Sequence, residues 1–235
     1  MTAVVGAEPV LVVSEVFGPT VQGEGPSCGR AAGFVRLGRC NLACTFCDSR
    51  PTWDWGRYDP AVELNEMTVA DVVSRLDAMS VSMVVVTGGE PLLQQRHLAP
   101  LLAQVKARGW RVELETAGTV APTLPAGLVD QWNVSPKLEN SGMPVERRFK
   151  PAVLAELLAT GRAVFKFVAA DLADLDEIDE LVRRCQLTPV WVMPEGTDAT
   201  TVTARLRELA APVLARGWNL TPRLHILIWG DERGR

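Results

Sequence analysis

The sequence predicts an α/β fold in which parallel strands alternate with helices in a curved array. From about Thr68 onward, short β-rich runs alternate with amphipathic helical patterns, an order that is typical of parallel β/α units. The chain has 235 residues, of which 47% are hydrophobic and 22% are charged. These ordinary values allow a substantial core and exclude a disordered or collagen-like protein.

The first β/α unit follows from capping residues and helical spacing. Thr68 and Asp71 have the spacing of a capping box, which predicts a helix of about twelve residues. Residues 83–86 then predict a buried strand, and the turn Thr87-Gly88-Gly89-Glu90-Pro91 follows it. A second helix ends at Gly109 and has its apolar residues on one face: Leu98, Leu101, Leu102 and Val105.

The remaining strands are predicted where apolar runs recur between helical stripes. They are residues 111–115, 129–134, 164–168, 190–193 and 224–228. Two segments, residues 48–67 and 139–150, are irregular or polar and are predicted as loops near a site. No repeat or low-complexity block divides the chain, so residues 1–235 are predicted to form one domain.

Charge and hydropathy exclude several kinds of partner. The 24 basic and 28 acidic residues give a net charge of −4, which argues against binding to nucleic acid. No apolar run approaches the roughly twenty residues that span a bilayer, so no membrane partner is expected. Residues 1–13 lack the basic region and the cleavage site of a signal peptide, so a cytoplasmic location is expected.

Three of the five cysteines, Cys40, Cys44 and Cys47, lie close together in the sequence. Thiolates are the soft ligands of iron–sulfur clusters, and three of them leave one iron of a [4Fe–4S] cluster open to an exogenous ligand. The alternative is a structural zinc site, which normally needs four protein ligands. The motif favours the cluster, because the other candidate ligands are distant in sequence: Cys28, Cys185, His97 and His225.

The CxxxCxxC loop and the Gly-Gly-Glu-Pro turn together resemble the radical S-adenosylmethionine superfamily. The resemblance implies a partial, open α/β barrel of about six parallel strands, with the cluster loop, the turn and the strand ends at its mouth. It also implies that S-adenosylmethionine binds at the open iron. Gly88 and Gly89 would let the backbone approach that ligand, although alone they are typical of an ordinary strand-to-helix turn.

Further motifs lie along nearly the whole chain. They are Val21-Gln22-Gly23-Glu24-Gly25, residues 34–42, Cys47-Asp48-Ser49, residues 87–91, Glu115-Thr116-Ala117-Gly118, Ser135-Pro136-Lys137, Phe165-Lys166-Phe167 and His225. Together they resemble the 7-carboxy-7-deazaguanine synthase family. The resemblance implies a carbon–nitrogen lyase that converts 6-carboxy-5,6,7,8-tetrahydropterin to 7-carboxy-7-deazaguanine with release of ammonia, on the route to queuosine and other deazapurines.

The substrate-binding residues follow from the same resemblance and from the chemistry of the pterin. A carboxylate such as Glu24 and an amide such as Gln22 can bind the N–H donors of its aminopyrimidinone edge. Arg36 can bind its carboxylate in two parallel hydrogen bonds. On the predicted strand 224–228, His225 faces away from its apolar neighbours, which suits either substrate contact or packing in the barrel. The complete predicted set is Val21, Gln22, Gly23, Glu24, Arg36, Thr87 and His225.

The resemblance also implies contacts to S-adenosylmethionine and to Mg²⁺. Lys137 would pair with the methionyl carboxylate, and Glu115 would meet the ribose hydroxyls or form a structural ion pair. The family binds Mg²⁺ through a hydroxyl two residues after the last cysteine, usually that of threonine; here it is Ser49, which keeps the oxygen that a hard cation prefers. The predicted S-adenosylmethionine contacts are Phe46, Cys47, Asp48, Gly89, Glu115, Ser135, Pro136 and Lys137.

The implied partners are an electron donor, such as flavodoxin or ferredoxin, and a second copy of the chain in a homodimer. Two other functions share part of the pattern. A glycyl-radical activase has the same cluster and fold but acts on a protein, and it does not need the set Gln22, Glu24 and Arg36. A zinc-stabilised binding module has no catalysis, and metal analysis of anaerobically purified protein separates it from the cluster enzyme.

Overall fold

One nine-stranded sheet runs through residues 9–235, the part of the chain that the computed structural model describes. The strands are β1 (Val10–Val21), β2 (Ala31–Leu37), β3 (Asn65–Thr68), β4 (Met83–Gly88), β5 (Arg111–Thr116), β6 (Gln131–Val134), β7 (Ala163–Ala169), β8 (Val190–Pro194) and β9 (Asn219–Leu220). Their order in the sheet is β3-β1-β2-β4-β5-β6-β7-β8-β9.

The sheet is parallel over most of its width. β2 and the strands from β4 to β9 are parallel to one another, whereas β1 is antiparallel to both β2 and β3. In the described part of the chain the two edge strands, β3 and β9, do not pair with each other, so the sheet is open. This arrangement confirms the predicted partial barrel of about six parallel strands. The additional strand, β9, spans only Asn219–Leu220.

Most of the helices lie in the connections between strands, and the last helix follows β9. The helices are α1 (Pro60–Glu63), α2 (Val69–Asp77), α3 (Gln95–Ala107), α4 (Val145–Arg148), α5 (Pro151–Ala159), α6 (Ala173–Cys185), α7 (Ala199–Ala215) and α8 (Leu224–Trp229). The capping box that predicts α2 is present, because the Asp71 N–H donates to Thr68 Oγ1 at 3.1 Å and the Thr68 N–H donates to Asp71 Oδ2 at 3.3 Å. It satisfies two backbone donors that the first turn leaves free.

The main core lies between the sheet and these helices. Strand residues such as Val84, Leu114 and Phe165 are fully buried, and they belong to the same apolar cluster as Leu101 of α3 and Ile178 of α6. Because side chains alternate along a strand, the neighbours of these residues point to the other face of the sheet. Polar side chains on that face are therefore available to a site inside the barrel.

The predicted strand at residues 224–228 is wrong, because helix α8 occupies this segment. The last strand is instead β9, which pairs with β8. A short apolar run of this kind fits either a strand or a turn and a half of helix, so periodicity does not decide between them. The Leu224 N–H donates to the Gly23 carbonyl oxygen at 2.9 Å, which attaches the start of the helix to the turn after β1.

The two predicted loops contain regular structure. Residues 48–67 include α1 and most of β3, and residues 139–150 include α4. β3 has a weak sequence signal, since Met67 is the one buried residue among Asn65–Thr68. Its conformation depends on pairing with β1, a tertiary contact that local propensity does not reveal.

Residues 1–8 lie outside the described part of the chain, so the prediction made for residues 1–13 has no structural outcome there. None of the helices in residues 9–235 is long and apolar enough to cross a membrane. The organisation of residues 1–235 as a single domain stays a prediction.

Candidate active site

A cavity of about 510 Å³ opens at the carboxyl ends of the parallel strands. This is the end at which α/β barrels carry their chemistry. All the predicted site residues except Pro136 line this cavity: Val21, Gln22, Gly23, Glu24, Arg36, Cys40, Cys44, Phe46, Cys47, Asp48, Ser49, Thr87, Gly89, Glu115, Ser135, Lys137 and His225.

The three clustered cysteines lie in the loop that follows β2, which we call the cluster loop (residues 40–48). Their side chains belong to one apolar group that also contains Leu42 and Met143. Two N–H groups point at the sulfurs, since the Leu42 N–H lies 3.4 Å from Cys40 Sγ and the indole N–H of Trp53 lies 3.2 Å from Cys47 Sγ. Hydrogen bonds of this kind stabilise cluster thiolates and tune the potential of the iron.

Burial disfavours the thiolate forms of Cys40 and Cys44. It raises the pKa of Cys40 to about 11, and it also raises the pKa of Cys44, although the positive charge of Lys137 opposes that effect. Iron must therefore displace these protons when a cluster binds.

The donor set fits a cluster better than zinc. Within residues 9–235, no three His, Cys, Asp or Glu side chains converge closely enough to hold a single metal ion. Three thiols in one loop are one ligand short of a structural zinc site, whereas they can bind three irons of one cluster. Cys28 and Cys185 lie elsewhere: Cys28 contacts the Gly23 carbonyl oxygen at 3.4 Å, and Cys185 ends α6.

Gly88 and Gly89 let the end of β4 approach the cluster loop. A Cβ atom on Gly89 would lie 2.0 Å from the Arg39 carbonyl oxygen and 2.9 Å from Cys40 Cβ. Gly88 has a φ of +135°, and a Cβ atom on it would lie 2.2 Å from the Leu37 carbonyl oxygen. In the structure these glycines make room for the chain that carries the cysteines, and their predicted approach to a ligand stays a prediction.

Glu90, the next residue of this turn, is fully buried and structural. It accepts hydrogen bonds from Thr116 Oγ1 and from the Ala117 N–H, each at 2.9 Å, and from the Leu92 N–H at 3.1 Å. Burial raises the pKa of its carboxyl group despite these donors. Glu90 thereby joins the end of β4 to the end of β5 beside the cluster loop.

The turn that follows β1, which we call the substrate turn (residues 22–24), contacts the ends of β4 and β5 through Glu115. Gln22 is buried and its amide donates to Glu115 Oε1 at 3.2 Å, while Thr87 Oγ1 donates to Glu115 Oε2 at 3.2 Å. The structure thus groups Glu115 with the residues predicted to bind substrate. Its predicted contact with the ribose hydroxyls stays a prediction.

Two buried cationic side chains contact Glu24, and the sequence motifs assign neither of them a role. Lys166 of β7 pairs with Glu24 Oε2 and lies 3.7 Å from Glu115 Oε1, and Nε of Arg223 lies 3.4 Å from Glu24 Oε1. Their side chains are 5% and 6% exposed. Burial opposes ionisation of Glu24, but the two cations outweigh it and hold the pKa of Glu24 well below its usual range.

The sequence contains one signal for these cations. Lys166 lies between two buried phenylalanines, Phe165 and Phe167, so alternation alone places it on the barrel side of the strand. Arg223 follows Pro222 just before α8 and belongs to no local pattern.

His225 reaches the substrate turn from a helix rather than from a strand. Its Nε2 lies 4.0 Å from Glu24 Oε1, and a Cβ on Gly23 would lie 2.0 Å from its Nδ1. Burial lowers the pKa of the imidazole, although the charge of Glu24 opposes this effect. His225 thus lines the cavity from helix α8, and its predicted contact with substrate stays a prediction.

The other predicted polar residues already have partners in the chain. Arg36 Nε donates to Glu15 Oε2 at 3.1 Å, and its guanidinium lies 5.3 Å from the centre of the Phe17 ring. Ser49 Oγ donates to the Gly88 carbonyl oxygen at 3.4 Å. Lys137 Nζ donates to the Ser135 hydroxyl at 2.9 Å.

Comparison with known proteins identifies the class to which this site belongs. Residues 35–137 match the family model described as the Radical SAM superfamily. The fold is similar to the crystal structure of QueE from Escherichia coli, with a TM-score of 0.70 and 24% identity over 92% of this chain and 95% of that chain. These matches show the fold of the radical S-adenosylmethionine proteins, a class that implies a [4Fe–4S] cluster and S-adenosylmethionine as cofactors.

Sequence relatives narrow the class further. The chain is 38% identical to 7-carboxy-7-deazaguanine synthase of Pyrobaculum aerophilum, over 97% of this chain and 99% of the relative. It is 28% identical to the synthase of Bacillus subtilis, over 94% of this chain and 97% of the relative. The chain belongs to the 7-carboxy-7-deazaguanine synthase family, which confirms the resemblance of its motifs.

The three cysteines of the cluster loop should be needed for iron binding, and the other two should not. Cys44→Ala should lose most of its iron and sulfide after anaerobic reconstitution, because two thiols cannot hold a four-iron cluster. Cys28→Ala and Cys185→Ala should keep the wild-type content, measured by iron and sulfide analysis. Loss of the cluster in either of these controls, with retention in Cys44→Ala, contradicts the ligand assignment.

Glu24 should make the stability of the protein depend on pH. Its pKa is lower in the folded chain than its ordinary value of 4.5, so its contribution is complete above that pH and is lost as the pH falls below it. The difference in unfolding free energy between wild type and Glu24→Gln, measured in urea, should be largest at pH 7 and should shrink below about pH 4.5. A difference that stays constant down to pH 3 contradicts this assignment; Glu208→Gln, an exposed change on α7, is the control.

Proposed function

We propose that this protein converts 6-carboxy-5,6,7,8-tetrahydropterin to 7-carboxy-7-deazaguanine with release of ammonia. The observation that carries the proposal is that one cavity contains the three thiols, the Gln22–Glu115–Thr87 contacts and the paired Glu24 carboxylate. The relatives that bear this name match the chain over nearly its full length.

The cofactors supply the radical chemistry, and the chain supplies binding and orientation. Once bound, the cluster and S-adenosylmethionine supply a one-electron cleavage that starts the rearrangement of the pterin. Cys40, Cys44 and Cys47 hold the cluster in this proposal. The predicted S-adenosylmethionine contacts at Asp48, Gly89 and residues 135–137 lie around the same cavity, apart from Pro136, which does not line it.

The substrate turn is suited to the aminopyrimidinone edge of the pterin. Lys166 and Arg223 keep Glu24 ionised, so its carboxylate accepts hydrogen bonds and donates none. The amide of Gln22 has its Nε2 committed to Glu115, and its oxygen receives the Glu24 N–H at 3.3 Å. The two side chains are thereby oriented before substrate arrives, which lowers the entropy cost of binding.

Arg36 is proposed to bind the carboxylate of the pterin. Its guanidinium has five N–H donors, of which the Nε donor is engaged by Glu15. The terminal nitrogens can then form the two parallel bonds that a carboxylate accepts. Glu15 and the Phe17 ring hold the guanidinium in place at the cavity wall.

Mg²⁺ is proposed to bind at Ser49. The hydroxyl donates to the Gly88 carbonyl oxygen and lies 3.6 Å from Cys47 Sγ, and Ser49 lines the cavity. A magnesium ion usually keeps several waters and takes further oxygens from its substrate, so one hydroxyl from the chain is compatible with a site completed by the pterin carboxylate.

The partners proposed with this activity are a one-electron donor such as flavodoxin or ferredoxin and a second copy of the chain.

The proposed activity is tested by incubating the reconstituted protein anaerobically with the pterin, S-adenosylmethionine, Mg²⁺ and a reductant. Mass spectrometry should detect 7-carboxy-7-deazaguanine, and an ammonia assay should detect one ammonia for each product. No product should form with Cys47→Ala. An intact, cluster-loaded wild type that forms no product contradicts the proposal.

Ser49→Ala should weaken the response of turnover to Mg²⁺ without preventing cluster assembly, because it removes the proposed oxygen ligand and leaves the cysteines in place. The measurement is the rate as a function of Mg²⁺ concentration, with iron content determined on the same sample. Ser74→Ala, an exposed change on α2, is the matched control. Superimposable Mg²⁺ titrations for Ser49→Ala and wild type would remove Ser49 from the site.

Arg36→Lys should weaken pterin binding and leave S-adenosylmethionine binding close to wild type. Lysine keeps the charge but cannot donate the two parallel hydrogen bonds of a guanidinium. Loss of a charge-assisted pair in a water-poor site costs about 2 to 5 kcal/mol. Anaerobic calorimetry measures both affinities, and Arg108→Lys, which alters an exposed pair with Asp77, is the control. Weaker S-adenosylmethionine binding with normal pterin affinity would instead place Arg36 in the cofactor site.

A further inference from the structure

Arg223 joins three segments of the active site. Its guanidinium donates to Asp48 Oδ2 and, at 2.6 Å, to the Gly196 carbonyl oxygen, and its Nε lies 3.4 Å from Glu24 Oε1. Asp48 ends the cluster loop, Gly196 follows β8, and Glu24 lies in the substrate turn. One buried side chain thus contacts the segments that carry the cysteines and the substrate residues.

No other cation in residues 9–235 forms ion pairs with both carboxylates. Lys166 pairs with the other oxygen of Glu24 and approaches Glu115, but it forms no ion pair with Asp48. Arg36, which faces the same cavity, pairs with Glu15. The link between the cluster loop and the substrate turn therefore runs through Arg223.

The shape of the guanidinium matters for this link. Its donors lie in one plane and point in fixed directions, so the three acceptors are held at set distances from one another. A lysine ammonium has a single charged centre with rotatable donors, and it cannot span the same three positions. The geometry of Arg223 is thus a constraint on the relative position of Asp48 and Glu24.

We propose that Arg223 is a positioning residue that fixes the cluster loop relative to the substrate turn. The inference rests on the proposed function, which places the cluster beside Cys47 and the pterin at Glu24. The two reacting partners are then held by separate segments, and an error of about 1 Å between them can lower a rate about a hundredfold. Arg223 acts by preventing that error.

The first test measures the loop and needs no turnover. In reconstituted protein without pterin or S-adenosylmethionine, Arg223→Lys should speed hydrogen exchange of peptides covering residues 40–49 by at least about fivefold, while peptides of α3 keep their wild-type rate. The control is Arg111→Lys at the start of β5, away from the cavity, which alters an ion pair with buried Glu113. It should leave exchange at residues 40–49 unchanged.

A second variant approaches the same link from its other end. Asp48→Asn keeps the pairs of Glu24 with Lys166 and Arg223, and it should speed exchange at residues 40–49 to a similar extent. The double variant should exchange no faster than the faster single variant, because both changes break the same contact between Asp48 and Arg223. Asp48→Asn also decides the question if Arg223→Lys fails to fold.

Kinetics of the same variants separate this inference from the proposed function. Asp48→Asn should lower kcat at least about tenfold while pterin affinity stays near wild type, since a misplaced loop harms the reaction more than binding at Glu24. Unchanged exchange in both single variants, or fully additive exchange in the double variant, overturns the positioning role. A wild type that never converts the pterin would refute the proposed function, and the exchange data would still decide whether Arg223 fixes the loop.

Discussion

The charge of Glu24 is the constraint on which the rest of the site depends. An ionised carboxylate that is largely withdrawn from water is stable only when cations meet it. Those cations come from β7, at Lys166, and from the segment before α8, at Arg223. The substrate turn, β7 and the last helix must therefore assemble together, and this assembly brings His225 and Asp48 to the same cavity.

The sequence predicted the features that have local signals. The cysteine spacing, the Gly-Gly-Glu-Pro turn and the capping box at Thr68 are each readable within a few residues, and the β/α alternation predicted the parallel sheet. Lys166 and Arg223 were not assigned, because their partner Glu24 lies 142 and 199 positions away. The strand β3 likewise depends on a distant partner, β1. The segment of α8 is ambiguous in sequence, because a short apolar run fits both a strand and a helix.

The Gly-Gly-Glu-Pro turn shows how a motif can be located correctly and explained differently. Gly89 has no space for a side chain because the backbone of Arg39 lies against it. The carboxylate of Glu90 is buried against the end of β5, where it accepts the Ala117 N–H, and Glu90 does not line the cavity. The turn acts as a support under the cysteines. Packing of this turn against the start of the cluster loop thus requires glycine at these positions, in addition to any contact that the turn makes with a ligand.

The contact between Glu24 and Arg223 also bears on how the protein reaches its native state. Contacts between positions so far apart in sequence form late, since a long stretch of chain must first be brought to order at an entropic cost. In the parallel sheet from β4 to β8, each strand pairs with the next strand in the sequence. This part of the sheet can collapse before Glu24 of the substrate turn pairs with Lys166 and Arg223. Until that final closure Glu24 stays hydrated, so the barrel is expected to acquire its shape before it acquires a binding site.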